Sequence, residues 1–240
     1  MNNSKIRILI INPNTTQSMT QKIGEAAEAV ASPDVQIAAR NPINGPASIQ
    51  GVEDGCAALP GLLEEVKKAY DEGFDAIIIA CFDDTGLAEA RELINIPIIG
   101  IGEAAFHAAM MMGIKFSVVT TLSISIPVIE ENLVNYGLDS MCIKVRASEV
   151  PVLDLEIPGS DAQKKISDEI ALSITEDNAS AIVLGCAGMA DLSEQLTKMH
   201  NIPVIDGVSA AVGFATTLAK LPKTVADKQS QTTKKVALKA

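Results

Sequence analysis

A chain of 240 residues with 48% hydrophobic and 20% charged residues has the composition of a folded globular protein with a real core, not of a disordered one. Its net charge of −11 is uneven: residues 221–240 hold five Lys and one Asp, which leaves the first 220 residues at −15 (14 basic against 29 acidic). Such a body excludes nucleic acid as the partner, since phosphate binding needs a Lys/Arg patch. No stretch approaches the roughly 20 apolar residues of a membrane span.

In chain order, IRILII at 6–11 reads as a buried strand, followed by the turn-forming NPNTT, where Thr15 or Thr16 can cap a helix from Ser18 to about Ala31. VQIAA is a second strand. The loop NPINGPASIQG follows, long enough without periodicity to be functional. A helix over 52–72, a strand over 75–80 ending at Cys81, a helix over 86–94 and a strand over 96–100 complete the first half. The second half reads as helix 103–113, strand 115–120, helix 123–136 and strand 141–147, then an irregular PVLDLEIPGS segment. Helix 161–177, strand 180–185, helix 189–199, strand 202–205 and helix 208–220 close the pattern. Strict alternation of strands and helices predicts mostly parallel sheets, and the aliphatic, Trp-free composition suits strands covered on both faces.

The chain also repeats itself. DAIIIACFDDTGL at 75–87 matches SAIVLGCAGMADL at 180–192, NIPIIGIGEAA at 95–105 matches NIPVIDGVSAA at 201–211, and RILIINP at 7–13 matches KFSVVTT at 115–121. The predicted fold is therefore α/β, with two pseudo-symmetric lobes, each a mostly parallel four-stranded sheet flanked by helices. Lobe 1 spans 1–100 and is completed by the C-terminal helix 208–220, lobe 2 spans 101–207, and 221–240 is a basic, solvated tail. Ligands of open parallel sheets lie beyond the carboxyl ends of the strands. The active site is thus expected in the cleft between the lobes, with Asn12, Cys81, Thr120 and Cys186 projecting into it.

Four cysteines without a CxxC pair, and only two histidines, point to neither a disulfide framework nor a zinc site. With no signal peptide visible, a soluble cytoplasmic protein is expected. Cys56 and Cys142 read as small buried hydrophobes. Cys81 and Cys186, each at a strand end just before a helix, read as thiols of lowered pKa. On opposite walls of one cleft, a thiolate can remove a proton from carbon while the opposing thiol returns one to the other face. Each must come within about 3–3.5 Å of that carbon, which sets the sulfurs about 7 Å apart. Backbone N–H groups of residues 82–83 and 187–188 can support the enolate oxygen, and Asn12, Thr120 and Thr121 supply neutral polar groups. Asp83 and Asp84 are expected to cap the helix that follows them. GIGEAA at 100–105 fits a loose dinucleotide fingerprint but lacks the acidic residue about 20 positions on.

INPNTT, GPASI, IACFDDTGL, IGIGEAA, FSVVTTL, VLGCAGMA and PVIDGVSAAV together resemble the aspartate/glutamate/hydantoin racemase superfamily, in its hydantoin and allantoin branch. The resemblance implies a cofactor-independent, metal-free isomerase with catalytic Cys81 and Cys186. Substrate contacts would fall on Asn12, Ile49, Phe82, Asp83, Thr120, Ala187 and Gly188. It further implies a small cyclic ureide as substrate, no nucleic-acid or membrane partner, and self-association into a homo-oligomer. Close relatives carry Gly where this chain has Asp83. An amino-acid racemase or maleate-type isomerase, and a non-catalytic binding or redox-sensing protein, stand as the alternatives.

Overall fold

The computed structural model describes residues 5–221. The basic tail therefore falls, apart from Leu221, outside the described residues. The first half runs β1 (Ile6–Ile11), α1 (Gln17–Val30), β2 (Val35–Arg40), α2 (Val52–Asp71), β3 (Ala76–Ile79), α3 (Leu87–Leu93) and β4 (Ile98–Gly100). The second runs α4 (Ile101–Met111), β5 (Phe116–Thr120), α5 (Ile126–Asn135), β6 (Cys142–Ala147), α6 (Ala162–Asp177), β7 (Ala181–Gly185), α7 (Ser193–His200), β8 (Val204–Ile205) and α8 (Gly207–Lys220). Two four-stranded sheets result, in the orders β2-β1-β3-β4 and β6-β5-β7-β8, and every strand pair is parallel. The second sheet repeats the first, as the internal repeat of the sequence requires.

Alternation of side chains along each strand divides the core into three layers. Ile8, Ile10 and Ile78 of the first sheet join Phe116, Val118 and Val183 of the second in one central cluster with α1, α4, α5 and α8. Leu9, Ile11, Ile77 and Ile79 face outward onto α2 and α3, while Val119, Ile182 and Leu184 face outward onto α6 and α7. The two sheets thus share one apolar interior, and α8 packs on β1, β3 and β4 as well as on α4. Phe106 of α4 anchors that interior, edge-on to Phe82 at 5.3 Å and stacked on Phe116 at 6.0 Å.

Four local expectations change. Thr16 stands at the N-cap of α1 but its side chain does not cap it. The Thr16 hydroxyl instead donates to the Ala47 carbonyl at 2.6 Å, and the Thr15 hydroxyl to that of Pro46. These bonds tie the long loop down. The helix expected over 123–136 opens as a 3₁₀ turn at Ser123–Ser125 before α5, whose first turn accommodates Pro127. The helix expected over 189–199 divides into a 3₁₀ segment at Ala187–Leu192 and the α-helix after it. Cys56 is exposed, contrary to expectation, because the buried stripe of α2 runs through Gly55, Ala58, Leu62 and Val66 and leaves position 56 to one side.

The duplicated helices α4 and α8 meet at their starts. A Cβ at Gly207 would stand 2.3 Å from the Ile101 carbonyl oxygen, and this obstacle is backbone. Gly207→Ala is therefore expected to cost about 1–3 kcal/mol, seen as a lower denaturant midpoint with an unchanged slope in equilibrium unfolding.

Candidate active site

The carboxyl ends of the two central strands in each sheet deliver the site. One cavity is lined by Asn12 and Asn14 after β1, Cys81, Phe82 and Asp83 after β3, Thr121 and Ser125 after β5, and Cys186 and Ala187 after β7. Ile49 and Val152 line it from the long loops. It encloses about 30 Å³, room for no more than a few waters. One bond joins those loops, the Val152 N–H donating to Gln50 Oε1 at 2.9 Å, and a second ties the later loop to α1, Lys22 Nζ donating to the Leu155 carbonyl at 3.1 Å. Lys22 also lies 3.1 Å from Glu156 Oε1, a charge contact without hydrogen-bond geometry, and 3.9 Å from Asp191.

The two cysteines sit in equivalent turns. The Asp84 N–H donates to the Cys81 carbonyl and the Met189 N–H to the Cys186 carbonyl, both at 3.1 Å. In each turn the N–H two residues after the cysteine, that of Asp83 or Gly188, points at the sulfur. The Thr85 hydroxyl lies 3.5 Å from the Cys81 sulfur.

Asp84 fixes the first turn, but not by capping α3. At φ 50° it directs its carboxylate away from that helix and onto the N-terminus of α4, where it accepts from Gly102 N (3.0 Å), Glu103 N (2.7 Å) and the Tyr136 hydroxyl (2.8 Å). Gly86 takes the N-cap of α3 instead. This also explains the glycines of GIGEAA. A Cβ at Gly100 would collide with the Asp84 carboxylate, and one at Gly102 would stand 2.3 Å from the Phe82 carbonyl. The helix end that a nucleotide phosphate would need is occupied by the chain's own carboxylate.

The sequence model of the Asp/Glu/hydantoin racemase family matches residues 8–215. The chain belongs to that family. It is 46% identical over 213 residues to a hydantoin racemase of Rhizobium meliloti, covering 89% of this chain and 88% of that one. It is 42% identical to a hydantoin racemase of Pseudomonas sp. (strain NS671), over 91% and 88% of the two chains. Among solved structures it superimposes on the allantoin racemase from Klebsiella pneumoniae with a TM-score of 0.86 and 44% identity, covering 89% of this chain and 87% of that one.

Within the racemase fold, Asn12, Ile49, Cys81, Phe82, Asp83, Thr121, Cys186 and Ala187 meet at the cavity, whereas Thr120 and Gly188 do not line it. The buried Thr120 hydroxyl donates to the Gly185 carbonyl at 3.0 Å and links β5 to β7. Gly188 leaves space for Leu155, whose Cδ1 a Cβ there would approach to 2.9 Å. Asn12 faces the cavity with its amide hydrogens committed to Asn14, Thr16 and Thr20. Sequence reasoning missed Asn14, Ser125 and Val152. The irregular PVLDLEIPGS segment was the visible signal for Val152, but nothing local indicates that it bonds to Gln50. His107 is a packed helix residue whose Nδ1 lies 2.7 Å from the Glu103 carbonyl. Among the described residues no cluster of His, Cys, Asp and Glu is arranged to hold a metal, and no helix is long and apolar enough to cross a membrane.

The protonation of the site reverses the expected direction. Burial raises both thiols, Cys186 to about 11 and Cys81 further, and the nearby Asp83 charge adds to each. The N–H groups of Asp83 and Gly188 oppose that rise without overcoming it. Strand-end placement supplies the helpful N–H groups, but both thiols are part-buried in the cleft and lose much of the water that would stabilise a thiolate. Burial also pushes Asp83 up to about 7. No hydrogen bond among the described residues engages the Asp83 carboxyl or the Thr121 and Ser125 hydroxyls.

Two outcomes follow for the unliganded protein. Iodoacetamide should modify exposed Cys56 first, while Cys186 should react slowly at pH 7 and about tenfold faster per pH unit until pH 11, followed by peptide mass spectrometry. Asp83 has a raised folded-state pKa, so the folded protein holds its proton where the unfolded chain has lost it. Stability is consequently lost as pH rises from about 4 to about 7. Asp83→Asn should lessen that decline, and its thermal midpoint should gain on the wild type between pH 5 and 8.

Proposed function

We propose that this protein is a cofactor-independent racemase of 5-substituted hydantoins, with allantoin a candidate substrate, working through Cys81 and Cys186 as two opposed bases. One observation carries the proposal: two thiols in equivalent turns, one from each sheet, share one cavity. Its other polar side chains are neutral, with the single exception of Asp83. The names of the relatives point to the same substrates.

In the proposed cycle one cysteine enters as thiolate and takes the C5 proton, leaving its electron pair on the ring carbon and the adjacent carbonyl oxygen. The opposite thiol then gives its proton to the other face of C5. The product is the mirror image, and the two sulfurs have exchanged protonation states. A hydantoin C5 proton lies next to a carbonyl, so the carbanion is delocalised without a cofactor. The unengaged hydroxyls of Thr121 and Ser125 suit the ring's carbonyl and N–H groups. The cavity is narrow for a five-membered ring, so binding widens it, and the Gln50–Val152 bond between the two loops is the contact placed to give. Forming the thiolate in this part-buried cleft is costly, and closure over the substrate makes that base stronger.

The alternatives fit less well. Aspartate, glutamate and maleate all bring carboxylates, and no Lys or Arg lines the cavity to receive them. We assign α8 to the lobe of residues 1–100, an assignment supported by its packing on β1, β3 and β4. The reading carries self-association too, for which the exposed Met111 and Met112 offer apolar surface. A reducing, cytoplasmic setting suits four free thiols.

Proton NMR in D₂O with separate D- and L-hydantoins tests the proposal. The wild type should exchange C5 of both hands and lose optical rotation, each above the spontaneous background. Cys81→Ser and Cys186→Ser should each lower racemisation by about 10²–10⁴-fold. Full racemisation by either variant would overturn the two-base assignment.

A further inference from the structure

Asp83 lies on the wall of two spaces at once. Besides the inner cavity it borders an outer groove of about 190 Å³, formed with Gly51, Gly55, Cys56, Glu89 and Val128. The inner cavity cannot hold a ring together with a sizeable 5-substituent, and the groove offers several times its volume on the far side of Asp83. The charge pattern across both is one-sided. Asp83 is the sole charged side chain of the inner wall, the groove adds Glu89, and neither is lined by Lys or Arg. The nearby cations are committed elsewhere, Lys22 to Glu156 and Asp191, and Arg91 to Glu103.

The Asp83 backbone is held in place, since Asn132 Nδ2 donates to its carbonyl at 2.9 Å. Its carboxyl meanwhile accepts no hydrogen bond among the described residues. The carboxyl is part-buried, and with no protein donor engaged it is open to the N–H group or cation that a ligand brings. The same group repels an incoming carboxylate.

Resting on the proposed function above, we infer that Asp83 selects the substrate by its 5-substituent. The ring lies against the thiols, while the substituent passes Asp83 into the outer groove. Cationic or N–H-bearing substituents (an aminoalkyl or ureido group) are favoured and acidic ones rejected. Asp83 is thus a specificity residue distinct from the proton-transferring pair.

The test is a ratio, which does not depend on absolute activity. The kcat/KM of the wild type should be at least about tenfold higher for a 5-(aminoalkyl)hydantoin than for 5-(carboxymethyl)hydantoin. In Asp83→Asn the ratio should fall towards one, and an unchanged ratio would overturn the inference. Should that variant lose turnover altogether, the folded protein can be alkylated at pH 9 with neutral iodoacetamide and anionic iodoacetate in parallel. Asp83→Asn and Asp83→Ser should then raise the relative iodoacetate rate at Cys81 and Cys186 by about tenfold, and no change would again overturn it. A wild type that exchanges no hydantoin proton would instead refute the proposed function. The alkylation ratio would still report whether Asp83 excludes anions from the thiols.

Discussion

The site depends on one buried carboxyl group that does not line its cavity. Asp84 joins the turn after β3 to the first N–H groups of α4 and to the Tyr136 hydroxyl at the end of α5. Three donors on one carboxylate define its position closely, and the left-handed backbone at Asp84 is the conformational cost of that reach. Because Cys81, Phe82 and Asp83 immediately precede it, their placement follows from this anchor. Gly100 and Gly102 are the reciprocal condition, since only residues without a Cβ admit the carboxylate and the Phe82 carbonyl at that helix end.

The second copy reaches a similar turn by other means. Asp206, which aligns with Gly100, accepts from Ser209 N at 2.8 Å and caps its own helix. The Cys186 turn continues into a 3₁₀ segment and not into a loop held by a distant carboxylate. Sequence symmetry is therefore kept in the strands and turns and abandoned in their supports. The two walls differ chemically in consequence: one presents Phe82 and Asp83 beside its thiol, the other Ala187. A chiral substrate held between unlike walls is oriented by them, even though the two thiols are alike.

Electrostatics and closure act against each other here. The shared apolar interior brings the strand ends of both sheets together, and the loops joined over them narrow the cleft. Burial keeps the resting thiols protonated, and in the proposed cycle it also strengthens the thiolate that forms. A cavity without Lys or Arg further means that charge selection falls to Asp83 alone on the inner wall.

The parallel α/β architecture was legible from the sequence, because a repeat of strand, helix and strand-end residues constrains topology more firmly than local propensity does. So was the arrival of Cys81 and Cys186 at one cavity, since matched positions in two copies of one unit come to equivalent strand ends. The polarity of the thiols was not legible. Helix-start N–H groups are encoded locally, whereas burial comes from loops 41–51 and 150–160 meeting across the cleft through Gln50 and Val152. Nor could the partner of Asp84 be read, because a carboxylate beside one helix start gives no local sign that it will serve another. Sequence by itself determined the frame and the residues brought to the cleft. Tertiary structure decided which of them face the cavity, which are consumed as supports, and how far water is excluded, because desolvation and long-range hydrogen bonds exist only once the two sheets have closed on each other.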